Sequence, residues 1–361
     1  MKKALALFIV LLMIAIPLSA CQSAQTSDEP TTAPASTATA APAEPTATPE
    51  AKPDYSDFKA AILLPGSISD VGFSGPAYQG LKQLETDFGI QISYAEKVQP
   101  ADYETIFRGY AQDGFNLIIG HGNQFLETAS KVAAEFPDTW FAITSAREGN
   151  GKNLAAIGLS SNDVGFLVGA LCGQMTTSNR IASIAGSEIP PLIAVVEGTI
   201  VGAKYVNPDA EVVNVYTGNT DAAKVKEAAL ALIDSGCDIL TQTADIGSIG
   251  GINACAEKGI YNVATSGDYA PQAPKTVLAS VMVKNDVAIY TIGKMAIEGT
   301  LEAKLYPFGI KEGAVVMTGY GELESVVPAA VKEKMAQLIK DIQDGKIVTA
   351  DLYAEYKAAN K

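Results

Sequence analysis

The sequence runs to 361 residues with a formal charge of −14, one histidine and four cysteines. That length is long for one core and natural for two. The acidic balance sets aside binding of nucleic acid or anionic headgroups through a broad basic face, and a lone histidine without CxxC spacing sets aside a His/Cys metal centre.

Residues 1 to 21, MKKALALFIVLLMIAIPLSAC, join two lysines to a short apolar run and then to small residues before Cys21. This is the pattern of a secretory leader. Its last four residues, LSAC, resemble the lipobox of bacterial lipoproteins, which implies cleavage before Cys21 and lipidation of that cysteine; the alternative is a plain leader with an incidental cysteine. Residues 22 to 57 are almost wholly Ala, Thr, Pro, Ser and acids, with no apolar period. Such a segment buries too little surface to offset its ordering entropy, so it reads as a disordered tether spanning on the order of 30 Å. The working body begins at residue 58.

The first strand signal ends in ILLPGS, and ISDVGFSG follows before a helix reading AYQGLKQLETDFG. An acid and an aromatic in so flexible a loop admit two readings. Either Asp70 accepts hydrogen bonds from a ligand while Phe73 stacks on its flat face, or Asp70 caps the helix while Phe73 packs at its base.

Two later segments, residues 102 to 146 and 221 to 268, share one plan. Each opens at an aspartate suited to a helix N-cap, runs through an amphipathic helix and stops at a glycine, Gly114 or Gly236. A buried-strand run follows, NLIIG or DILTQ, then a polar loop, a second helix and another strand, WFAIT or YNVAT. This β-α-β alternation, met twice, predicts two lobes, each a doubly wound parallel sheet with helices on both faces. In such sheets ligands bind beyond the carboxyl ends of the strands, so the loops after the strands are where a site belongs.

Those loops supply the candidates. His121 follows NLIIG in GHGNQF, with Asn123 and Gln124 beside it. Flanking glycines allow close approach of a ligand and the imidazole offers a donor and an acceptor, although a structural loop histidine is the other reading. Asp245 closes the matching strand of the second repeat in TQTAD, and repeat symmetry sets it on the same cleft as His121. Asp268 follows the next strand in ATSGDYA, and Lys284 closes SVMVKND; the plainer readings are a turn aspartate and a lysine paired with Asp286. Trp140, at a strand start, reads as packing away from the cleft. Cys172, Cys237 and Cys255 are an odd set without metal or disulfide spacing, and the last two read as core.

The ordered set GSISDVGFSGPAYQGL, EFPDTWFA, VGAKYVNPDAEV and DILTQTAD resembles the basic membrane protein family, substrate-binding lipoproteins of ABC importers for purine nucleosides and related ligands. The likeness covers nearly all of residues 58 to 345. It implies a periplasmic-binding-protein fold, two α/β lobes joined by crossing hinge strands, with the ligand closed between them. On that plan residues 58–175 plus about 265–300 form one lobe, and 176–264 plus about 301–350 the other. The resemblance further implies ligand contact at Asp268, at the strand-end Lys284 and at position 69, where Ser69 is the candidate. It departs at Ser69, where the family usually has asparagine, and at Val195 and Thr199, which stand where aromatics would complete a sandwich around the base. Tyr216, in NVYTGN, is then the candidate second stacking partner. EIPPLIAVVEG is closer to members that take free bases.

Together these readings imply a lipid-anchored solute-binding protein outside the cytoplasm. It would act as a monomer, capture a purine nucleoside or nucleobase, and present it to ABC permease subunits. No cofactor, metal, catalytic residue or nucleic acid is implied. A sensor for another small polar solute is the alternative. A nucleoside-processing enzyme is a weaker one, since no acid cluster, GxSxG elbow or phosphate-binding GxxxxGK[ST] occurs.

Overall fold

The protein is described by a computed structural model, which covers residues 53–360 except Val71 and Ser266. The leader, Cys21 and most of the 22–57 segment therefore lie outside the described residues.

The body holds two six-stranded sheets. The first is ordered β11-β5-β4-β3-β1-β2, from β1 (Lys59–Leu63), β2 (Gln91–Ala95), β3 (Leu117–Gly120), β4 (Trp140–Thr144), β5 (Leu154–Leu159) and β11 (Leu305–Phe308). The second is ordered β12-β10-β9-β8-β6-β7, from β6 (Arg180–Ala185), β7 (Glu211–Tyr216), β8 (Ile239–Thr243), β9 (Tyr261–Thr265), β10 (Val277–Val283) and β12 (Val315–Met317). Every pairing is parallel except β10 with β12. Strand β3, LIIG, is buried at every position because helices cover both faces. Trp140 is half-buried at the start of β4 against the first core, and all three described cysteines are buried and unpaired.

The chain exchanges helices between the lobes. After β5 it enters α4 (Ser161–Met175), which packs in the second lobe against α5 (Pro190–Val206). After β10 it enters α8 (Asn285–Ile297), which packs in the first lobe against α1 (Ser74–Phe88). A third crossing joins β11 to β12, and α9 (Ala329–Gln343) and α10 (Thr349–Ala359) complete the second lobe. The expected boundaries at 175, 264 and 300 are thus corrected to crossings after Leu159, Val283 and Phe308. The periodicity of a helix marks that it is amphipathic, not which sheet it covers.

The α4–α5 pair meets backbone to backbone along several turns, whereas on α1 only Gly80 does so against α8, where an added Cβ would stand 2.5 Å from the Asp286 carbonyl oxygen. Gly165, Gly169 and Gly173 lie four residues apart and share one face of α4. An added Cβ at Gly165 would stand 2.1 Å from the Val195 carbonyl oxygen, and at Gly169 2.0 Å from that of Thr199. From α5, Gly202 would meet the Phe166 oxygen at 2.1 Å. These helices touch backbone to backbone. On α8 the corresponding neighbour of Gly293 is a movable side chain, Leu84 Cδ1 at 2.1 Å.

Asp163, buried in the first turn of α4, links the crossings. Its carboxylate accepts the Ile310 N–H at 2.8 Å and the Thr349 hydroxyl of α10. Burial pushes its pKa up, against those hydrogen bonds.

Candidate functional site

The loops beyond the strand carboxyl ends enclose one cleft of about 1540 Å³, above the ~300–1,000 Å³ of a small-molecule pocket. The first lobe lines it after β1, β3, β4 and β5, the second after β6, β8, β9 and β10. This is the placement the strand-end rule requires.

Phe73 stands in the cleft wall at the N-cap position of α1. Its ring cannot cap the helix, so Asp70 does that work: the carboxylate accepts N–H groups of Gly72 at 2.9 Å, Phe73 at 3.1 Å and Ser74 at 2.8 Å. Burial would raise the Asp70 pKa, and these three hydrogen bonds outweigh it and hold the carboxyl below the usual range. Asp70 also lines the cleft. Of its two sequence readings, capping is the one that accounts for its hydrogen bonds.

His121 lies beneath Phe73 and is 0% exposed. The ring centroids are 3.9 Å apart with planes 31° from parallel. One imidazole nitrogen, Nε2, is 3.1 Å from the Phe73 carbonyl oxygen, and Nδ1 is 3.1 Å from the Thr144 hydroxyl. A carbonyl only accepts, so Nε2 carries the proton and Nδ1 accepts from Thr144. Burial pulls the pKa down to about 4, with the Phe73 hydrogen bond opposing, so the ring is neutral at pH 7. Of its two sequence readings, the structural one accounts for these contacts: His121 is a mount for Phe73. Its glycines serve the chain too. A Cβ at Gly120 would meet Ile143 at 2.7 Å and Phe125 at 2.8 Å, and Gly122 takes φ +133.

Asn123 and Asp245 both line the cleft, and each opens a single 3-10 turn after its strand, β3 or β8. The structural counterpart of Asp245 is therefore Asn123, not His121. Asp245 is exposed with φ +50, a left-handed backbone uncommon outside glycine, and its carboxylate has no hydrogen bond or ion pair among the described residues.

The other candidates do not reach the cleft wall. Ser69 bonds within its own loop to Ser67, which Glu96 also holds. Asp268 accepts from the Ala270 N–H at 3.1 Å and the Ser280 hydroxyl at 3.2 Å, as a turn aspartate does. Lys284 Nζ pairs with Asp286 at 2.9 Å. Tyr216 ends the edge strand β7, outside the cleft lining. Of the two residues standing where aromatics were expected, Val195 lines the cleft and Thr199 is buried, its hydroxyl on the Val195 carbonyl at 2.8 Å.

Sequence reasoning missed several lining residues. Ser145, Arg147 and Glu148 follow WFAIT, where the strand-end rule would have found them. Ser145 also has φ +61. Ile189 to Leu192 open α5, and Ile246, 75% exposed, follows Asp245. Asn285 was hidden beside the more conspicuous Lys284.

Two parallel α/β lobes, three crossings and one cleft at the strand ends define a two-lobed solute-binding protein. The chain belongs to the ABC transporter substrate-binding protein PnrA-like family, whose model matches residues 58–351. It is 28% identical to the transcriptional activator protein med of Bacillus subtilis over 78% of this chain and 87% of that protein. A purine-binding protein of Brucella abortus is 26% identical, with 78% and 80% covered. A putative ABC transporter glucose-binding protein of Haloferax volcanii is 30% identical over 59% and 53%. Among solved structures, an ABC transporter solute-binding protein of Conexibacter woesei matches with TM-score 0.68 and 23% identity over 81% and 98%, which shows the fold.

Proposed function

We propose that this protein captures a purine nucleoside or purine base in the cleft, without chemistry, and presents the closed form to an ABC permease. The observation that carries this reading is Phe73: an aromatic ring set in the cleft wall, backed by a buried imidazole and held by the capped loop beneath it. A ring fixed in this way stacks on a planar base at little conformational cost, worth about 1 kcal/mol beyond the area buried. The purine-binding relative supports the same choice. Asp245 and Asn123, exposed at matching strand ends, supply polar groups for a sugar or base edge.

On this reading Cys21 carries a lipid that holds a monomeric body outside the cytoplasm. Among the described residues no helix is long and apolar enough to cross a membrane. The glucose-binding relative favours a second reading, a sugar in the same cleft, since sugars also stack on aromatic rings.

A thermal-unfolding panel of purine nucleosides, free purines, glucose and amino acids separates the two. A ligand at 100 times its Kd adds about 2.7 kcal/mol of stability. Adenosine, inosine, guanosine or a free purine should raise the melting temperature, and Phe73→Ala should remove most of that shift. A shift with glucose alone would overturn the purine reading and leave the fold intact.

A further inference from the structure

Asn285 is the first residue of α8, at the point where the chain leaves β10, and it lines the cleft. It is 2% exposed, and its side-chain oxygen is buried with no hydrogen-bond partner among the described residues. A buried amide left unpaired is costly, and such orphans call for an explanation.

The setting makes a second, independent point. In the first lobe the equivalent crossing is capped: the Ser160 hydroxyl accepts the Asp163 N–H at 3.4 Å at the start of α4. At the start of α8 the N-cap residue is Lys284, which makes no side-chain cap. No N–H in the first turn of α8 is therefore capped by the N-cap side chain, whereas one at the start of α4 is. An orphaned amide and an uncapped helix start meet at one place on the cleft floor.

We propose that Asn285 reads the hydrogen-bonding edge of the ligand's base, an inference that rests on the purine reading of the cleft. A carboxamide offers one acceptor and one donor side by side. That pair complements the N1/C6 edge of a purine: N1–H and O6 of a 6-oxo base, or N1 and the amino group of a 6-amino base. Either assignment satisfies the buried oxygen and uses the side-chain NH2 as donor. Phe73 holds the flat face from the β1–α1 loop while Asn285 holds the edge from the start of α8, at the crossing after Val283. Leu or Val at this position would seal the floor without leaving an orphan, so the amide answers to something that enters from the cleft.

The test is a titration of the intact protein with inosine, adenosine and purine riboside, the last lacking a 6-substituent. Wild type should bind the first two at least tenfold more tightly than the third. In Asn285→Ala, and in the bulkier Asn285→Leu, that preference should vanish, with Kd for inosine and adenosine weakened roughly tenfold to a hundredfold while purine riboside changes little. Equal weakening of all three ligands marks a structural role and overturns the inference. Unchanged affinities overturn it as well. If wild type binds none of the three, the purine reading falls, and this inference falls with it.

Discussion

The β1 and β3 loops meet the cleft with Asp70 and His121 already engaged, whereas, among the described residues, the β8 strand end and the β10–α8 crossing leave Asp245 and Asn285 unpaired. Asp70 accepts three N–H groups and His121 is bonded at both nitrogens, so the β1 and β3 loops hold Phe73 and one another. After β8, Asp245 stands exposed in a left-handed conformation, and at the crossing into α8 Asn285 keeps an orphaned oxygen. The same β-α-β plan has thus been turned to two tasks. The β1 and β3 loops offer a stiff apolar platform; Asp245 and Asn285 offer unpaired polar groups, which gain most from a ligand that brings its own donors and acceptors.

The glycines of the two helix pairs also differ in what they meet. The α4–α5 wall, which carries Asn162, Ile189 to Leu192, Ala194 and Val195 into the cleft, is locked backbone to backbone. It should therefore fail most sharply. Gly169→Ala forces a methyl against the Thr199 carbonyl and should cost more than about 3 kcal/mol, read by chemical denaturation. Gly293→Ala on α8 meets only Leu84, which can turn aside, and helix propensity favours alanine by about 1 kcal/mol, so its net change should lie within about 1 kcal/mol. Equal losses at the two positions would erase the distinction.

The platform should fail in acid. The folded pKa of His121 lies at about 4, below its ordinary 6.5, because burial disfavours the charged ring. The unfolded chain therefore binds a proton first, and stability is lost as pH falls from about 6.5, fully by about 4. The loss is on the order of 3 kcal/mol. His121→Gln should flatten this part of the stability profile while leaving the carboxylate contribution at lower pH. An unchanged slope between pH 6.5 and 4.5 would show that the imidazole is not held neutral.

The fold was legible because it is written in periodicity. Apolar runs such as LIIG and amphipathic helices ending at Gly114 and Gly236 locate strands and helices without reference to anything distant. Phe73 and Asp245 were legible for a related reason: both follow strands, and strand ends point to the cleft. His121 and Asp268 obey the same rule and yet contact the protein itself, because proximity to a strand end does not say whether a side chain turns outward or under its neighbour. Asn285 shows the converse. Nothing local distinguishes it from a routine helix start; its meaning comes from an unpaired atom, which only three dimensions reveal. The lobe boundaries were misplaced for the same kind of reason, since α4 and α8 each pack on the sheet they did not come from.

The claim on which the rest depends is that a flat base lies on Phe73 with its edge toward Asn285. A crystal structure of the protein with inosine or adenosine tests it most directly. The account predicts the base plane parallel to the Phe73 ring at about 3.5 to 4 Å, the usual carbon contact distance, with His121 still buried behind it. A nucleoside seated in the cleft without touching Phe73, or one stacked there by its ribose alone, would contradict it.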